Sequence, residues 1–222
     1  VEWKVTKPRH VRVVDFDADG GDRRNIGLGA VEPTIFAGVS WAPDGSSLLF
    51  AGFPAGRSEK DRSRIYLVPA GGGVAQPISG TGGATDPVLS PDGTTRAFAR
   101  TLLRLHLNPK HPLNYHFYSS TTTWVVSLAS GRTRRLTPWR NGLSVAPSSF
   151  SPDGRTLLLD RGRNPDGGPE VVALDLADGR MAVLARAAIS PAYSSDGTRI
   201  ALVSYRDRLT VEVADGPVSV GE

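Results

Sequence analysis

The chain has 222 residues, 39% of them hydrophobic, which is enough for one sizeable domain or for an array of small units that share a core. It contains no cysteine, which excludes disulfides, thiolate zinc sites and cysteine nucleophiles. The 26 basic and 22 acidic residues leave a formal net charge of +4, an excess that favours anionic partners only where it is clustered.

The N-terminal residues, VEWKVTKPRH, contain neither an initiator methionine nor the apolar core of a signal peptide, so we expect a processed or trimmed segment. No stretch of the sequence approaches the roughly 18 apolar residues of a membrane-spanning helix, and no span is expected. A chain without cysteine fits the cell envelope as well as the cytoplasm, so composition leaves the compartment open.

An acidic segment, DFDADGGD, occupies residues 15–22. Asp15, Asp17 and Asp19 alternate before a Gly, as in the first half of an EF-hand calcium loop. The twelfth position of such a loop needs a bidentate Glu, and here it is Ile26. The alternative, which we favour, is a hairpin in which this segment is the turn between two short strands. If the segment binds calcium instead, Asp15, Asp17 and Asp19 are its candidate metal ligands.

One ten-residue phrase occurs four times with variations: WAPDGSSLLF, LSPDGTTRAF, FSPDGRTLLL and YSSDGTRIAL. The copies align on Asp44, Asp92, Asp153 and Asp196. In each copy Asp supplies an Asx hydrogen bond and Gly the positive φ of a tight turn, and apolar residues on both sides predict short strands. Each phrase therefore predicts a β-hairpin. We expect burial of the large residue three positions before each Asp, namely Trp41, Leu89, Phe150 and Tyr193.

A second hairpin pattern follows each phrase: IYLVPAGGGVAQPIS, TWVVSLASGRTRRLT, EVVALDLADGRMAVL and, less clearly, TVEVADGPVSV. Two hairpins make a four-stranded antiparallel unit. The spacings between the four aligned Asp residues are 48, 61 and 43, close to the roughly 40 to 50 residues of a β-propeller blade with one insertion. The repeats therefore predict an all-β fold.

The repeated phrase resembles the TolB-like β-propeller repeats, relatives of the WD (Trp-Asp) repeat, whose signature is a Ser-Pro-Asp-Gly turn followed by an Ile-Ala-Phe-like strand. The resemblance covers residues 35–222 and implies a β-propeller with an extracytoplasmic, periplasmic or cell-envelope, location. It specifies fold better than activity, because propellers host unrelated functions. Two features depart from the pattern: Arg96 takes an apolar position, and Ser194-Ser195 replaces Ser-Pro. The small domain that precedes the propeller in TolB has no counterpart in these residues, so the role of TolB is not carried over directly.

We predict one propeller domain over residues 1–222, built of four-stranded antiparallel blades. About five blades are visible, either as a ring closed by the C-terminal PVSVG segment or as part of a six-bladed ring. The predicted units are a partial blade at 1–34, blades at 35–80, 84–138 (with an insertion at 101–120) and 144–186, and a last blade at 187–222.

Propeller topology places the repeated turns on one face and the variable loops on the other, where binding is expected. The longest of these, residues 101–120, holds His106, His111 and His116. Their five-residue spacing suits neither a helix face nor strand alternation, and no carboxylate lies in the loop, which argues against a metal site. Two interpretations stay open: an insertion that packs on its own blade, and a contact surface. The candidate contact residues are Tyr115, His116, Phe117, Tyr118 and His111.

Basic residues gather on the same predicted face: Arg57, Lys60, Arg62, Arg64, Arg104, Lys110, Arg140, Arg161 and Arg163. Solvated loop charge is the simpler interpretation of this set. Acidic residues, Glu59, Asp61, Asp160 and Asp166, are interleaved with them and weaken any attraction to phosphate groups, so a nucleic-acid partner is not expected. Arg62 and Arg161 are the two that we take as candidate contacts.

Enzymatic signatures are missing from the sequence: there is no Gly-x-Ser-x-Gly elbow, no His-Glu-x-x-His and no phosphate-binding loop. We therefore expect a non-catalytic scaffold, without a cofactor, that binds a protein or peptide partner on the variable-loop face. The alternative is the substrate-gating propeller of a prolyl-oligopeptidase-like hydrolase whose catalytic half lies outside this chain. A metal-dependent enzyme that uses the histidines is the least favoured hypothesis.

Overall fold

The computed structural model describes residues 12–15, 21–34, 38–56, 62–107, 115–140, 142–163, 168–205 and 210–215. Within these ranges the protein is all β, as the repeats predict, with 18 strands and no helix. The described part of the chain thus has no helix able to cross a bilayer.

In chain order the strands are β1 (Val14–Asp15), β2 (Arg24–Asn25), β3 (Val31–Pro33), β4 (Val39–Trp41), β5 (Ser47–Pro54), β6 (Arg64–Pro69), β7 (Gln76–Pro77), β8 (Ala84–Leu89), β9 (Thr95–Leu107), β10 (Tyr115–Ser127), β11 (Thr133–Arg135), β12 (Leu143–Phe150), β13 (Thr156–Arg163), β14 (Glu170–Asp175), β15 (Met181–Arg186), β16 (Ala188–Tyr193), β17 (Arg199–Ser204) and β18 (Thr210–Asp215).

The first sheet is a hairpin of β1 and β2, in which Asp15 pairs with Arg24. The Asp15 carboxylate accepts two hydrogen bonds from the Arg24 guanidinium, at 2.9 and 2.7 Å. The two strands flank the acidic segment as the hairpin interpretation predicts. Asp17 and Asp19 lie outside the described residues.

The second sheet has the order β3-β5-β6-β7, and β4 pairs with the same edge of β5 as β3. β3 lies against the end of β5, from Gly52 to Pro54, and β4 against its beginning, from Leu48 to Phe50. These two short strands together therefore occupy the first-strand position that one longer strand, β8, β12 or β16, occupies in the later antiparallel units.

The third sheet consists of two consecutive antiparallel meanders. β8, β9, β10 and β11 form the first, and β12, β13, β14 and β15 form the second. A single parallel bridge, between Thr121 of β10 and Ser144 of β12, joins them. The fourth sheet, β16-β17-β18, repeats the antiparallel order with three strands in the described residues.

The repeated Asp-Gly turns owe their recurrence to a shared hydrogen-bond pattern. In the third copy the Gly154 N–H donates to the Ser151 carbonyl, and the Ser151 N–H to the Thr156 carbonyl, both at 2.8 Å. Asp153 Oδ1 accepts bonds from Ser151 Oγ at 2.6 Å and from the Arg155 N–H at 3.0 Å, which hold the pKa of this carboxyl below its ordinary value. Gly154 has a φ of +70°, a left-handed conformation that favours glycine. The same conformation recurs at Gly45, Gly93 and Gly197, with φ of +69°, +70° and +73°.

Hydrophobic clusters fill the spaces between successive repeats. The residue six positions after each turn Asp is buried in every copy: Phe50, Phe98, Leu159 and Leu202. Phe50 packs in a cluster with Val13 and Ile26 from the N-terminal part, and Leu159 packs in a cluster with Ala97 of the preceding meander. Each repeat is thus buried against the one before it.

The burial expected three positions before each turn Asp is found only in part. Phe150 is 7% exposed, whereas Leu89 and Tyr193 are half-buried. Trp41 is 47% exposed, so the prediction is wrong for this residue. The other three pack on clusters that contain core residues of the preceding repeat. The sheet that precedes Trp41 consists, within the described residues, of two strands of two residues each, which leave it uncovered.

Candidate functional site

The first candidate site is formed by β9 and β10, which are 13 residues long and pair over their whole length. Neighbouring strands cover only one end of this hairpin: β8 pairs with β9 no further than Arg100, and β11 pairs with β10 only from Trp124 onward. Residues 103–107 and 115–119 therefore pair with each other and with no other described strand. We call these two segments the ribbon.

The predicted variable loop at 101–120 is thus strand over most of its length. Tyr115, Phe117 and Tyr118 help to explain this difference, because aromatic residues favour extended backbone. Four predicted contact residues lie in β10 and pair with β9. The pairs are Tyr115 with Leu107, His116 with His106, Phe117 with Leu105 and Tyr118 with Arg104. The hairpin pairs His106 with His116, which spacing along one strand could not reveal. His111 lies outside the described residues.

Hydroxyl groups tie the base of the ribbon to the rest of the sheet. The Thr101 and Thr121 hydroxyls are hydrogen-bonded to each other at 2.9 Å. Ser120 is buried, and its Oγ donates to the Leu143 carbonyl of β12 at 3.0 Å. The ribbon therefore leaves the sheet from a defined base.

Arg100 provides a cationic group at this base. Its guanidinium lies over the Trp124 ring, 4.5 Å from the centroid, and Nη2 donates to the Gly80 carbonyl at 2.8 Å. Burial, followed by the charge of Arg62, lowers the pKa of Arg100. Arg62, a predicted contact residue, is exposed and approaches the same glycine, Gly83, as Arg100 does. The fold thus brings this predicted residue close to the base of the ribbon.

Arg161, the other predicted cation, belongs to an ion-pair cluster. Its Nε and Nη2 donate to Glu170 Oε2 at 2.9 and 2.5 Å, and Arg186 Nη1 donates to Oε1 of the same carboxylate. Glu170 is only 3% exposed, and a buried carboxylate requires such partners. The charge of Arg161 is therefore compensated inside the fold.

The second candidate site is a cavity of about 360 Å³ where β4, β8, β12 and β13 meet. Asp86 of β8 and Asp160 of β13 both line it, and we call it the aspartate cavity. Asp160 Oδ1 accepts the Ser190 N–H of β16 at 2.6 Å, and the Thr85 hydroxyl bonds the Asp86 carboxylate at 2.9 Å. Burial raises the pKa of both carboxyl groups.

Sequence reasoning missed this cavity and took Asp160 only as a charge that dilutes the basic face. A usable signal was present, because a proline interrupts each of β8, β12 and β16: Pro87, Pro147 and Pro191. Proline cannot donate to a ladder and marks edges and bulges. The strand register shifts at each of these three prolines. Each bulge redirects the backbone of a strand beside the cavity.

No metal centre is found among the residues that the structure describes: no group of three or more His, Asp or Glu side chains is placed to hold an ion. Asp15, the one described member of the acidic candidate set, is bound by Arg24.

Two solved structures of TolB are similar to this chain. TolB from Acinetobacter baumannii matches with a TM-score of 0.66 and 20% identity, over 94% of this chain and 47% of its own. The putative TolB from Agrobacterium tumefaciens matches with a TM-score of 0.66 and 18% identity, over 94% of this chain and 71% of its own. The chain has a TolB-like β-propeller fold. It spans less than half the length of the first TolB.

The propeller fold is shared with enzymes. A structure from a study of two prolyl endopeptidases matches with a TM-score of 0.55 and 15% identity, over 91% of this chain and 31% of its own. No protein-family model matches the chain, and the search of curated proteins found no match. At these identities the likeness establishes a fold and not an activity. In this TolB-like propeller β4, β8, β12 and β16 contact one another in series, so the aspartate cavity lies along a row of equivalent strands.

Proposed function

We propose that this chain is a non-catalytic interaction propeller that binds a protein or peptide partner on the face that carries the ribbon. The observation that carries the proposal is that, among the described strands, residues 103–107 and 115–119 pair only with each other, beyond the strands that flank their base. A two-stranded hairpin by itself is at best marginally stable in water. A partner that covers the ribbon would stabilise it, which makes the ribbon the natural contact element.

The composition of the ribbon supports the proposal. Interfaces are rich in aromatic residues and Arg, which supply large contact area with few rotatable bonds. We propose as contact residues Tyr115, His116, Phe117, Tyr118, His111, Arg62 and Arg161. Arg62 is exposed near the base, whereas Arg161 would act from within its cluster with Glu170. We propose no nucleic-acid partner, because acidic residues interleave with the basic ones.

We also propose that the propeller is built of four-stranded, WD-repeat-like blades, about five of them in this chain, in a ring of five or six. The four-stranded meanders β8–β11 and β12–β15 and the shared turn geometry support this arrangement. An extracytoplasmic location, periplasmic or in the cell envelope, is proposed on the resemblance to TolB.

The test replaces residues 103–119 by Asn-Gly, a sequence that favours a two-residue hairpin turn between the paired residues Leu102 and Ser120. This variant should unfold cooperatively, because the described strand residues that it removes pair only with each other. The matched control replaces residues 57–61 by a Gly-Ser segment of equal length and leaves the ribbon in place. Native protein and both variants serve as baits in extract of the source organism, followed by quantitative mass spectrometry.

We expect the native protein and the control to capture the same partners and the ribbonless variant to lose them. If the ribbonless variant captures the same partners equally well, the ribbon is not the contact element, and the contact residues are to be sought near Arg62. An unfolded ribbonless variant would make the ribbon a structural part of the blade and remove the basis of the proposal.

A second candidate function is the substrate-gating propeller of a prolyl-oligopeptidase-like hydrolase. The likeness to a prolyl endopeptidase, which covers 91% of this chain but only 31% of that protein, supports it. Neither candidate gives this chain a catalytic role of its own. The coding sequence on both sides of this chain separates them, because an adjoining hydrolase domain would favour gating.

A further inference from the structure

Backbone strain is found beside the aspartate cavity. Four residues other than glycine have a left-handed φ among the described residues, and two of them adjoin the cavity: Asp86 (50°), which lines it, and Ser190 (55°), whose N–H is bonded to Asp160. Such conformations are costly for residues with a Cβ, and they persist only where the surroundings hold them. Asp86 precedes the proline in β8, and Ser190 precedes the proline in β16.

Ser190 is held by a bond that crosses between sheets. Its N–H donates to Asp160 Oδ1 of β13 at 2.6 Å. Nearby, Ser148 Oγ of β12 donates to the Pro191 carbonyl at 2.8 Å, and Ser149 Oγ accepts the Tyr193 N–H at 3.3 Å. These three bonds connect the β12–β15 meander to the strained part of β16.

Both carboxylates line the cavity, and none of its described lining residues is basic. Ionisable side chains on the strands packed against β8 and β13 are Arg64 and Tyr66 on β6, Arg96, Arg100, Arg104 and His106 on β9, Glu170 and Asp175 on β14, and Tyr193 on β16. None of those whose side chains the structure describes lines the cavity, and β4, β5 and β12 carry no ionisable residue. Both carboxylates are half-buried, and the charge of Asp86 raises the pKa of Asp160, so ionisation of one disfavours ionisation of the other.

Burial is the largest cause of the raised pKa of Asp160, ahead of the Ser190 bond, which lowers it, and of the charge of Asp86, which raises it. Ionised Asp160 would accept the Ser190 N–H more strongly, yet the cost of burying its charge exceeds that gain. The closed arrangement therefore favours the protonated pair, and ionisation favours any movement of β16 that admits water.

We propose that the junction between β13 and β16 is a proton-sensitive hinge, closed while the Asp86 and Asp160 pair holds a proton and loosened when both carboxylates are ionised. Movement at the hinge would release the Ser190 and Pro191 bonds and relieve the left-handed backbone at Ser190. The hinge is independent of the ribbon and of any partner, so it stands or falls separately from the proposed function.

The test is amide hydrogen exchange of Ser190, measured on the whole protein across mildly acidic to neutral pH and expressed as a protection factor, which removes the intrinsic pH dependence of exchange. In the native protein the protection factor should fall as pH rises. The total fall should be roughly tenfold for each unit by which the pKa in the closed state exceeds the pKa in the open state. Asp160→Asn keeps an oxygen that accepts the Ser190 N–H but cannot ionise, so its protection should not depend on pH. Asp44→Asn, which neutralises an exposed turn carboxylate, is the matched control and should behave as the native protein.

A protection factor that is constant with pH in the native protein, or that falls equally in Asp160→Asn, would overturn the hinge. If Asp160→Asn does not fold, Asp86→Asn provides the decision, because it leaves the Ser190 bond intact and removes the neighbouring charge. Without the charge of Asp86, the pKa of Asp160 should be lower. The pH midpoint of the fall in protection should therefore move to lower pH. An unchanged midpoint would contradict the proposal.

Discussion

Arg96 occupies the position that Leu48, Leu157 and Ile200 occupy in the other three repeats. Its side chain is only 5% exposed, and Nε and Nη1 have no hydrogen-bond partner among the described residues. Burial lowers its pKa to about 10, because a charged guanidinium is disfavoured where it cannot be solvated. The second repeat thus buries a charged side chain whose Nε and Nη1 lack hydrogen-bond partners among the described residues.

Replacing Arg96 by Leu should raise the free energy of unfolding, by about 1–3 kcal/mol, the cost of buried donors left without partners. Urea denaturation at neutral pH measures the change. Arg132→Leu, at an exposed position, is the control and should stay within about 0.5 kcal/mol of the native protein. A loss of stability in Arg96→Leu would show that the guanidinium makes a favourable contact.

The turn carboxylates should make stability depend on pH in the acid range. Asp196 accepts bonds from Ser194 Oγ at 2.6 Å and from the Thr198 N–H at 3.0 Å, which lower its pKa to about 2. Because the folded pKa is depressed, the carboxylate stabilises the fold fully above its ordinary value of 3.8, and that stability is lost as pH falls to about 2.

Asp196→Asn keeps an acceptor oxygen without a titration, so its stability should fall less steeply with acid in that window. Urea midpoints at successive pH values measure the slope, and Asp22→Asn, an exposed residue outside the four turns, is the control. Equal slopes in Asp196→Asn and the native protein would contradict the expectation.

At the scale of the strands, two buried threonines complete the pairing where an outer strand ends. Thr81 Oγ1 accepts the Ile65 N–H at 3.1 Å, and Thr137 Oγ1 accepts the Thr123 N–H at 2.9 Å. Both threonines are 1% exposed, and each follows the last strand of its unit, β7 or β11. The side chain takes the place of the backbone acceptor that the missing strand residues would supply.

Thr137→Val should reduce the free energy of unfolding by about 1–3 kcal/mol, because it leaves the buried Thr123 N–H without an acceptor at nearly constant side-chain volume. Chemical denaturation measures the loss. Thr133→Val, at an exposed position of β11, supplies the comparison and should change stability by less than about 0.5 kcal/mol. Similar losses in both variants would mean that the hydroxyl of Thr137 is not what matters.

The hairpins could be predicted because their information is local. The Asp-Gly pair, its hydrogen bonds and the flanking apolar residues all lie within ten residues of sequence. The sequence predicts a loop where the ribbon forms, because a repeat period counts extra residues without showing whether they pair with each other. The exposure of Trp41 depends on the size of the preceding sheet, which its own repeat does not encode.

At the scale of the molecule, removal of calcium should leave the thermal midpoint unchanged. The acidic segment lacks a carboxylate at its twelfth position, Ile26, and Asp15 is bound by Arg24. Thermal unfolding with and without chelator tests this, and magnesium added after chelation controls for ionic effects. A fall of several degrees that calcium alone restores would make the segment a metal site.

The aspartate cavity could not be predicted from the sequence because it depends on how separate repeats are arranged in the whole molecule. Asp86 and Asp160 come from different repeats and meet only because β4, β8, β12 and β13 converge. Periodicity establishes that equivalent strands exist but not which side chains face one another across them. The fold was therefore accessible from the sequence, whereas the site required the arrangement of the sheets.

The order of strand pairing has a consequence for how the protein is made. Every antiparallel pair in the described sheets, except β3 with β5, joins strands that are consecutive in the chain. Short separations keep the entropy of loop closure small and contact formation fast. A nascent chain that ends after β11 already holds every strand of its last meander, so folding can advance from the ribosome one meander at a time.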